Sequence, residues 1–385
     1  MGLLRLYLAL CVVGVHSGAI FPWSTHDGHQ AVQIFFLISG FYMQMVYSSN
    51  YASAKEFYAS RFLRIFIPYW IILALTVATS LIAYQLEWQW IWTKLHPYFN
   101  QPLQHNGVES VVLVGLSNLT LFFQDWVMFL TQDAGQTLAF TNDFRESKSP
   151  LYQYLLIPQA WTIGLELTFY LMVPILSKLR SRTLLYMVAT SLIARIIAYE
   201  AFDLDRDPWE YRFFPFELAL FLLGMLSYRL SKILPYQSIQ FQPSTTVEYC
   251  IASLVLMISF AAASKALEIL GDAVGYHYAV LLSYLVWAIA IPALFQIFGK
   301  WKHDRFIGEL SYPIYLGHLI VVSIAIALMQ KMGFPTALYG PICAFLSIVF
   351  ACALYIFILR PIETKRHVLA KKLARQMASE RQPSS

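Results

Sequence analysis

Arg5-Leu-Tyr-Leu-Ala-Leu-Cys-Val-Val-Gly-Val-His16 is an apolar run with an arginine at its start and a histidine eleven positions later. On an α-helix each residue turns about 100°, so eleven steps return to nearly the same azimuth, about 16 Å further along the axis. Arg5 and His16 therefore share one stripe. Ionisable side chains are costly against lipid, so that stripe is expected to face protein or a cavity. A secretory signal peptide has a similar outline, with a charged start and an apolar core before Ser17-Gly18-Ala19. It has no use for a histidine in its core, and cleavage after Ala19 would discard it. The stretch reads as a membrane helix.

Composition agrees. Of 385 residues, 58% are hydrophobic and 13% charged, against about 25% charged in soluble domains. A globular core cannot hide that much apolar surface, so the chain reads as an all-α polytopic membrane protein. The net charge of +5 is no sign of nucleic-acid binding, because the basic residues fall in short loops and the C-terminal tail. Cys11, Cys250, Cys343 and Cys352 sit in apolar runs with neither metal-ligand nor disulfide spacing, and read as small buried hydrophobes.

Apolar runs of spanning length occur at 3–21, 30–48, 64–86, 108–130, 155–177, 183–201, 212–230, 246–264, 277–299, 306–329 and 336–359. Charge tests these eleven candidates. Lys55, Arg61 and Arg64 precede the third run, and Lys178, Arg180 and Arg182 follow the fifth. Arg229 with Lys232, then Lys300, Lys302 and Arg305, then Arg360 to Arg381 mark further basic faces. If basic loops are cytoplasmic, run three goes out and run five returns, so 108–130 cannot cross. Its polar Ser117, Asn118, Thr120, Gln124 and Asp125 fit a re-entrant or surface-lying element on the outer side. About ten transmembrane helices remain, with both termini cytoplasmic. Residues 1–363 form the transmembrane domain. The basic tail 364–385 lies on anionic headgroups or is a solvated end.

Several polar groups stand inside or beside these runs. His26, Asp27 and His29 follow the first helix; as a metal site they are outweighed by ordinary loop polarity. Ser39-Gly40 in mid-helix permits close backbone approach. Arg61-Phe-Leu-Arg64 opens the third helix, closed off by Pro68-Tyr69-Trp70. With Arg5 it makes a three-guanidinium cluster suited to phosphate or, equally, to anchoring. Trp161-Thr-Ile-Gly-Leu-Glu166 places a carboxylate in an apolar segment, a natural partner for a histidine, with Thr162 and Tyr170 on its face. Arg195 and Glu217 lie on adjacent helices and are expected to pair. Tyr315 and His318 stand three apart in Ser311-Tyr312-Pro313-Ile-Tyr315-Leu-Gly-His318.

Taken in order, Arg5…His16, Phe35-Phe36-Leu-Ile-Ser39-Gly40-Phe41, Arg61-x-x-Arg64 with Pro68, Trp161…Glu166 with Phe169-Tyr170, and Ser311…His318 form a pattern. It resembles the acyltransferase-3 family of integral-membrane acyltransferases, many of them bacterial O-acetyltransferases of polysaccharides. The resemblance runs almost end to end. It implies His16 and Glu166 as catalytic residues, and Arg5, Arg61 and Arg64 as binders of the donor. Ser39, Trp161, Tyr170 and His318 are the candidate substrate-binding residues. One departure is Arg360-Pro361-Ile-Glu363, where the family is expected to place a glutamate just before the proline.

The resemblance further implies a transferase that moves an acyl group, most simply acetyl, from cytoplasmic acyl-CoA (acetyl-CoA) to a hydroxyl of an extracytoplasmic polysaccharide or glycolipid. It implies no permanently bound cofactor, no metal, a multi-pass place in the bacterial inner membrane among membrane lipids, and room for a downstream acyl-carrying partner protein. The competing class is a transporter or flippase for a lipid-linked sugar, with the intramembrane Arg, Glu and His lining a pathway.

Overall fold

Every run expected to cross the bilayer forms one helix in the computed structural model, which describes residues 1–22, 26–51, 53–88, 94–95, 97–98, 107–133, 137–238, 245–299 and 301–362. The helices are α1 (Gly2–Ser17), α2 (Gly28–Asn50), α3 (Ala54–Gln85), α4 (Val108–Thr120), α5 (Gln124–Val127), α6 (Trp161–Leu176), α7 (Ser181–Phe202), α8 (Phe214–Ile233), α9 (Thr246–Val274), α10 (Tyr276–Phe298), α11 (Lys302–Lys331) and α12 (Tyr339–Leu354). The one sheet among the described residues is a hairpin of β1 (Leu130–Gln132) and β2 (Leu138–Phe140), with Leu130 opposite Phe140. Eight described helical segments are long and apolar enough to cross a bilayer. Of the remaining two expected spans, α1 has 16 residues and the described apolar stretch of α9 is Thr246–Ser259. The chain is an all-α polytopic membrane protein. The basic tail 364–385 lies outside the described residues.

The segment at 108–130 does not make a spanning helix. α4 has 13 residues, about 20 Å of rise against about 30 Å of hydrocarbon. Leu121 and Phe123 both take left-handed backbone with φ of 67°, which ends α4 and turns the chain into α5 and the hairpin.

Helix directions test the count independently. α1 and α11 run parallel: Gly2 meets Gly308 at one end, and His16 meets His318 at the other. α2 and α8 also run parallel, with Gln33 on Glu217 and Gln44 on Arg229. Each crossing reverses the chain, so both alignments require an even number of crossings from one helix to its parallel partner. A crossing α4 would make both pairs antiparallel. A reporter fused after Asp205 is therefore expected to score as extracytoplasmic; a cytoplasmic score breaks this arrangement.

α3 corrects one expectation. It begins at Ala54, where the Ser53 side chain accepts from the Glu56 N–H, and it runs through Pro68 to Gln85. Proline removes only its own bond to the carbonyl four residues back, Arg64, and membrane helices tolerate that loss. Arg61 and Arg64 thus lie two to three turns inside the helix rather than at its start.

α2 and α8 form the centre of the bundle. A Cβ on Gly40 would stand 1.9 Å from the Phe221 carbonyl oxygen, and one on Gly224 would stand 2.0 Å from that of Leu37. Only glycine admits this backbone contact, as small residues do between membrane helices. Across it, Arg195 Nη2 meets Glu217 Oε1 at 2.5 Å, as expected from sequence. Gln33 Nε2 donates to both carboxylate oxygens at 3.0 and 3.1 Å and its own oxygen accepts from Tyr284.

Candidate functional site

A cavity of about 520 Å³ opens between α1, α2, α3, α6 and α11, within the 300–1,000 Å³ typical of small-molecule sites. Arg5, Arg61 and Arg64 all line it, so three cations separated by up to 59 positions meet. Their states differ. The Arg5 guanidinium has no ion-pair or hydrogen-bond partner among the described residues. Arg61 Nη2 donates to Tyr51 Oη at 3.2 Å, while its buried Nε is unpartnered. Arg64 Nη2 holds both Glu309 oxygens at 2.8 and 3.0 Å. That pair is 35% and 32% exposed, so it is open to exchange with an entering anion.

Deeper in the cavity, Ser39 Oγ lies 3.1 Å from Tyr170 Oη, which donates to Glu166 Oε2 at 3.2 Å. The sequence pairs Glu166 with His16; in the structure the Glu166 hydrogen bond goes to Tyr170. Glu166 lies on the wall of the arginine-lined cavity, beside the Arg5 end of α1, whereas His16 sits at the other end of that helix against His318 of α11. Thr162 closes the far wall by donating to Tyr315 Oη at 2.8 Å, and Tyr315 donates to the Gln159 carbonyl at 2.7 Å.

His16 stands beyond that wall. Its side chain is exposed at the outer end of α1, and its ring lies 5.3 Å from the ring of His318, tilted by 36°. His318 is fully buried, with Nδ1 2.7 Å from the Tyr315 carbonyl oxygen. Lys94, in the loop after α3, acts electrostatically on His16; burial pushes its ammonium down to about 7. The helical stripe read from the sequence thus joins a cationic cavity at one end to an exposed imidazole at the other.

Trp161 is not on the cavity wall. It is buried under Arg212, whose guanidinium carbon lies 4.4 Å above the indole and whose Nε and Nη2 bind Asp207 at 2.5 and 3.1 Å. The His26, Asp27 and His29 group also splits. His26 Nδ1 lies 3.1 Å from Tyr7 Oη, Asp27 caps α2 and accepts from Tyr276 Oη at 2.7 Å, and His29 stacks on Tyr211 at 3.8 Å. Burial holds His26 down to about 4, so it is neutral at pH 7.

Sequence reasoning missed Glu309 and Arg305, both on the cavity wall. Arg305 counted only as one of a basic loop, and Glu309 was not singled out at all. The available signal was their spacing: residues four apart at a helix start share one face.

No solved structure matches the chain. An uncharacterised protein of Aquifex aeolicus (strain VF5) is 27% identical over 168 residues, covering 43% of this chain and 69% of that protein. The acyltransferase-3 family, described as an acyltransferase domain, matches residues 1–356, which take in all twelve helices. The chain belongs to the acyltransferase-3 family of membrane acyltransferases.

Proposed function

We propose that this protein takes an acyl group, most simply acetyl, from cytoplasmic acyl-CoA and delivers it to a hydroxyl of an extracytoplasmic polysaccharide or glycolipid at the bacterial inner membrane. The observation that carries the reading is α1 itself, with a guanidinium in the cavity at one end and an exposed imidazole about 16 Å away at the other. That span is on the scale of a pantetheine arm. Arg5, Arg61, Arg64 and Arg305 suit the phosphates of the donor, because guanidinium presents paired donors to phosphate oxygens.

His16 acts as general base. It takes the proton of the acceptor hydroxyl as the oxygen attacks the thioester carbon; the new C–O bond forms, the C–S bond breaks, and the proton passes to the leaving thiolate. No covalent enzyme intermediate is needed. The Tyr315–Thr162 wall must part to let the thioester through, and Glu166, Tyr170 and Ser39 line the approach. Purified protein in liposomes is expected to transfer label from radiolabelled acetyl-CoA to a glycan acceptor, and glycans of a deletion strain to lack one acyl mass. Folded protein that neither hydrolyses nor transfers from acetyl-CoA overturns the reading.

Two variants probe the donor end. Arg5→Ala is expected to raise the apparent KM for acyl-CoA about tenfold, leaving that for the acceptor unchanged; an unaltered donor KM removes the clamp. Glu309→Gln is expected to lower the donor KM several-fold, because Arg64 no longer has to exchange one anion for another. A higher donor KM in that variant would mean that Glu309 itself holds the donor.

A further inference from the structure

The residue that orients His16 is identified by an unsatisfied atom. His318 is 0% exposed and lies on α11, one turn past Tyr315. Its Nδ1 stands 2.7 Å from the Tyr315 carbonyl oxygen, and a carbonyl only accepts, so Nδ1 carries the proton. Neutral imidazole has one ring proton, which leaves Nε2 as a bare acceptor. That Nε2 is buried and has no hydrogen-bond partner. A buried acceptor without a donor is costly, so its persistence calls for a function.

The ring beside it belongs to His16, with centroids 5.3 Å apart. Ring nitrogens lie about 1.1 Å from the centroid, so two turned toward each other at that spacing approach to about 3 Å, a hydrogen-bond length. We infer that His318, held in one tautomer by the Tyr315 carbonyl, accepts a hydrogen bond from a ring N–H of His16 and so leaves the other His16 nitrogen free to act as base.

In this arrangement a neutral imidazole does for His16 what a carboxylate does in a catalytic triad: it fixes the tautomer and receives the N–H as positive charge develops. Glu166, engaged with Tyr170, is left to the cavity. Tyr315 links the two places, since its hydroxyl belongs to the wall toward the cavity and its carbonyl fixes His318. His318 is thus a positioning residue that acts through His16. The inference rests on the proposed role of His16 as base, but the tautomer of His16 can be read without turnover.

The test uses the full-length protein in lipid nanodiscs with ¹⁵N-labelled histidine rings, the His16 signals being assigned by their loss in His16→Gln. His318→Asn keeps an amide N–H where Nδ1 stands and removes the acceptor at Nε2; His318→Gln puts its amide oxygen near the Nε2 position. Wild type and His318→Gln are expected to show His16 in one tautomer, and His318→Asn to show a mixture. In parallel, kcat falls by one to two orders of magnitude in His318→Asn and by less than tenfold in His318→Gln, with the acyl-CoA KM unchanged, as fits loss of part of a general-base effect of about 10²–10⁴. A His16 tautomer unaltered in His318→Asn overturns the inference whatever the rates. Equal kcat losses in the two variants, with folded protein, overturn it too. Absence of turnover in wild type would instead sink the acyltransfer reading, and leave the ring spectra to decide this one.

Discussion

His16→Gln is expected to insert in the membrane, bind acyl-CoA with wild-type affinity and transfer acyl groups about 10²–10⁴-fold more slowly. The direction follows from where the side chain stands. His16 is exposed at the outer end of α1 and does not line the cationic cavity, so its loss leaves the proposed donor site of Arg5, Arg61 and Arg64 in place. Glutamine keeps bulk and a donor but cannot take a proton near neutral pH. The effect therefore falls on kcat and on kcat/KM for the acceptor in equal measure, as for an interaction made only in the transition state. The check is steady-state transfer from radiolabelled acetyl-CoA together with equilibrium binding of the donor. Undiminished transfer removes the base; weakened donor binding would mean that the two ends of α1 are not separate sites.

Arg195→Met is expected to be the most destabilising single change in the bundle, at about 3–5 kcal/mol. Arg195 and Glu217 are 2% and 0% exposed and meet at 2.5 Å. Removing the cation leaves a buried carboxylate with only the Gln33 amide to solvate it. The cost comes mainly from that stranded charge, so the double change Arg195→Met with Glu217→Leu recovers much of it even though the ion pair is gone. Thermal unfolding in detergent measures both. A double variant no more stable than the single one would show that the pair itself supplies the stability.

Much of the architecture is legible in the sequence, because lipid makes the rules severe. Basic loops at 55–64, 178–182, 229–232 and 300–305 can all lie on one side only if 108–130 does not cross, and the parallel pairs α1–α11 and α2–α8 agree. Arg195 and Glu217 are readable as a pair because they are opposite charges inside apolar stretches of neighbouring helices. Azimuth was not readable. Glu166 is the obvious intramembrane carboxylate for His16, yet which way a helix turns depends on its neighbours, and α6 turns the face that carries Glu166 and Tyr170 to Ser39 of α2. The His16–His318 contact joins residues 302 positions apart in sequence, and no local period encodes it. Glu309 was obscured for a different reason: a carboxylate near a cytoplasmic boundary carries no burial cost that would mark it.

The Gly2–Gly308 contact has a mechanical meaning. A Cβ on Gly308 would come within 3.0 Å of Gly2 Cα, so α1 and α11 touch backbone to backbone at their inner ends, with no side chain between them to absorb a slide. Glu309, the next residue, is the anion on Arg64. Any displacement of α11 at Glu309, such as an entering anion would impose, is therefore expected to reach the two imidazoles at the far end with little damping. On the proposed reaction, the two helices would couple the loading of the inner cavity to the spacing of the outer imidazoles, as a rigid linkage rather than a soft one.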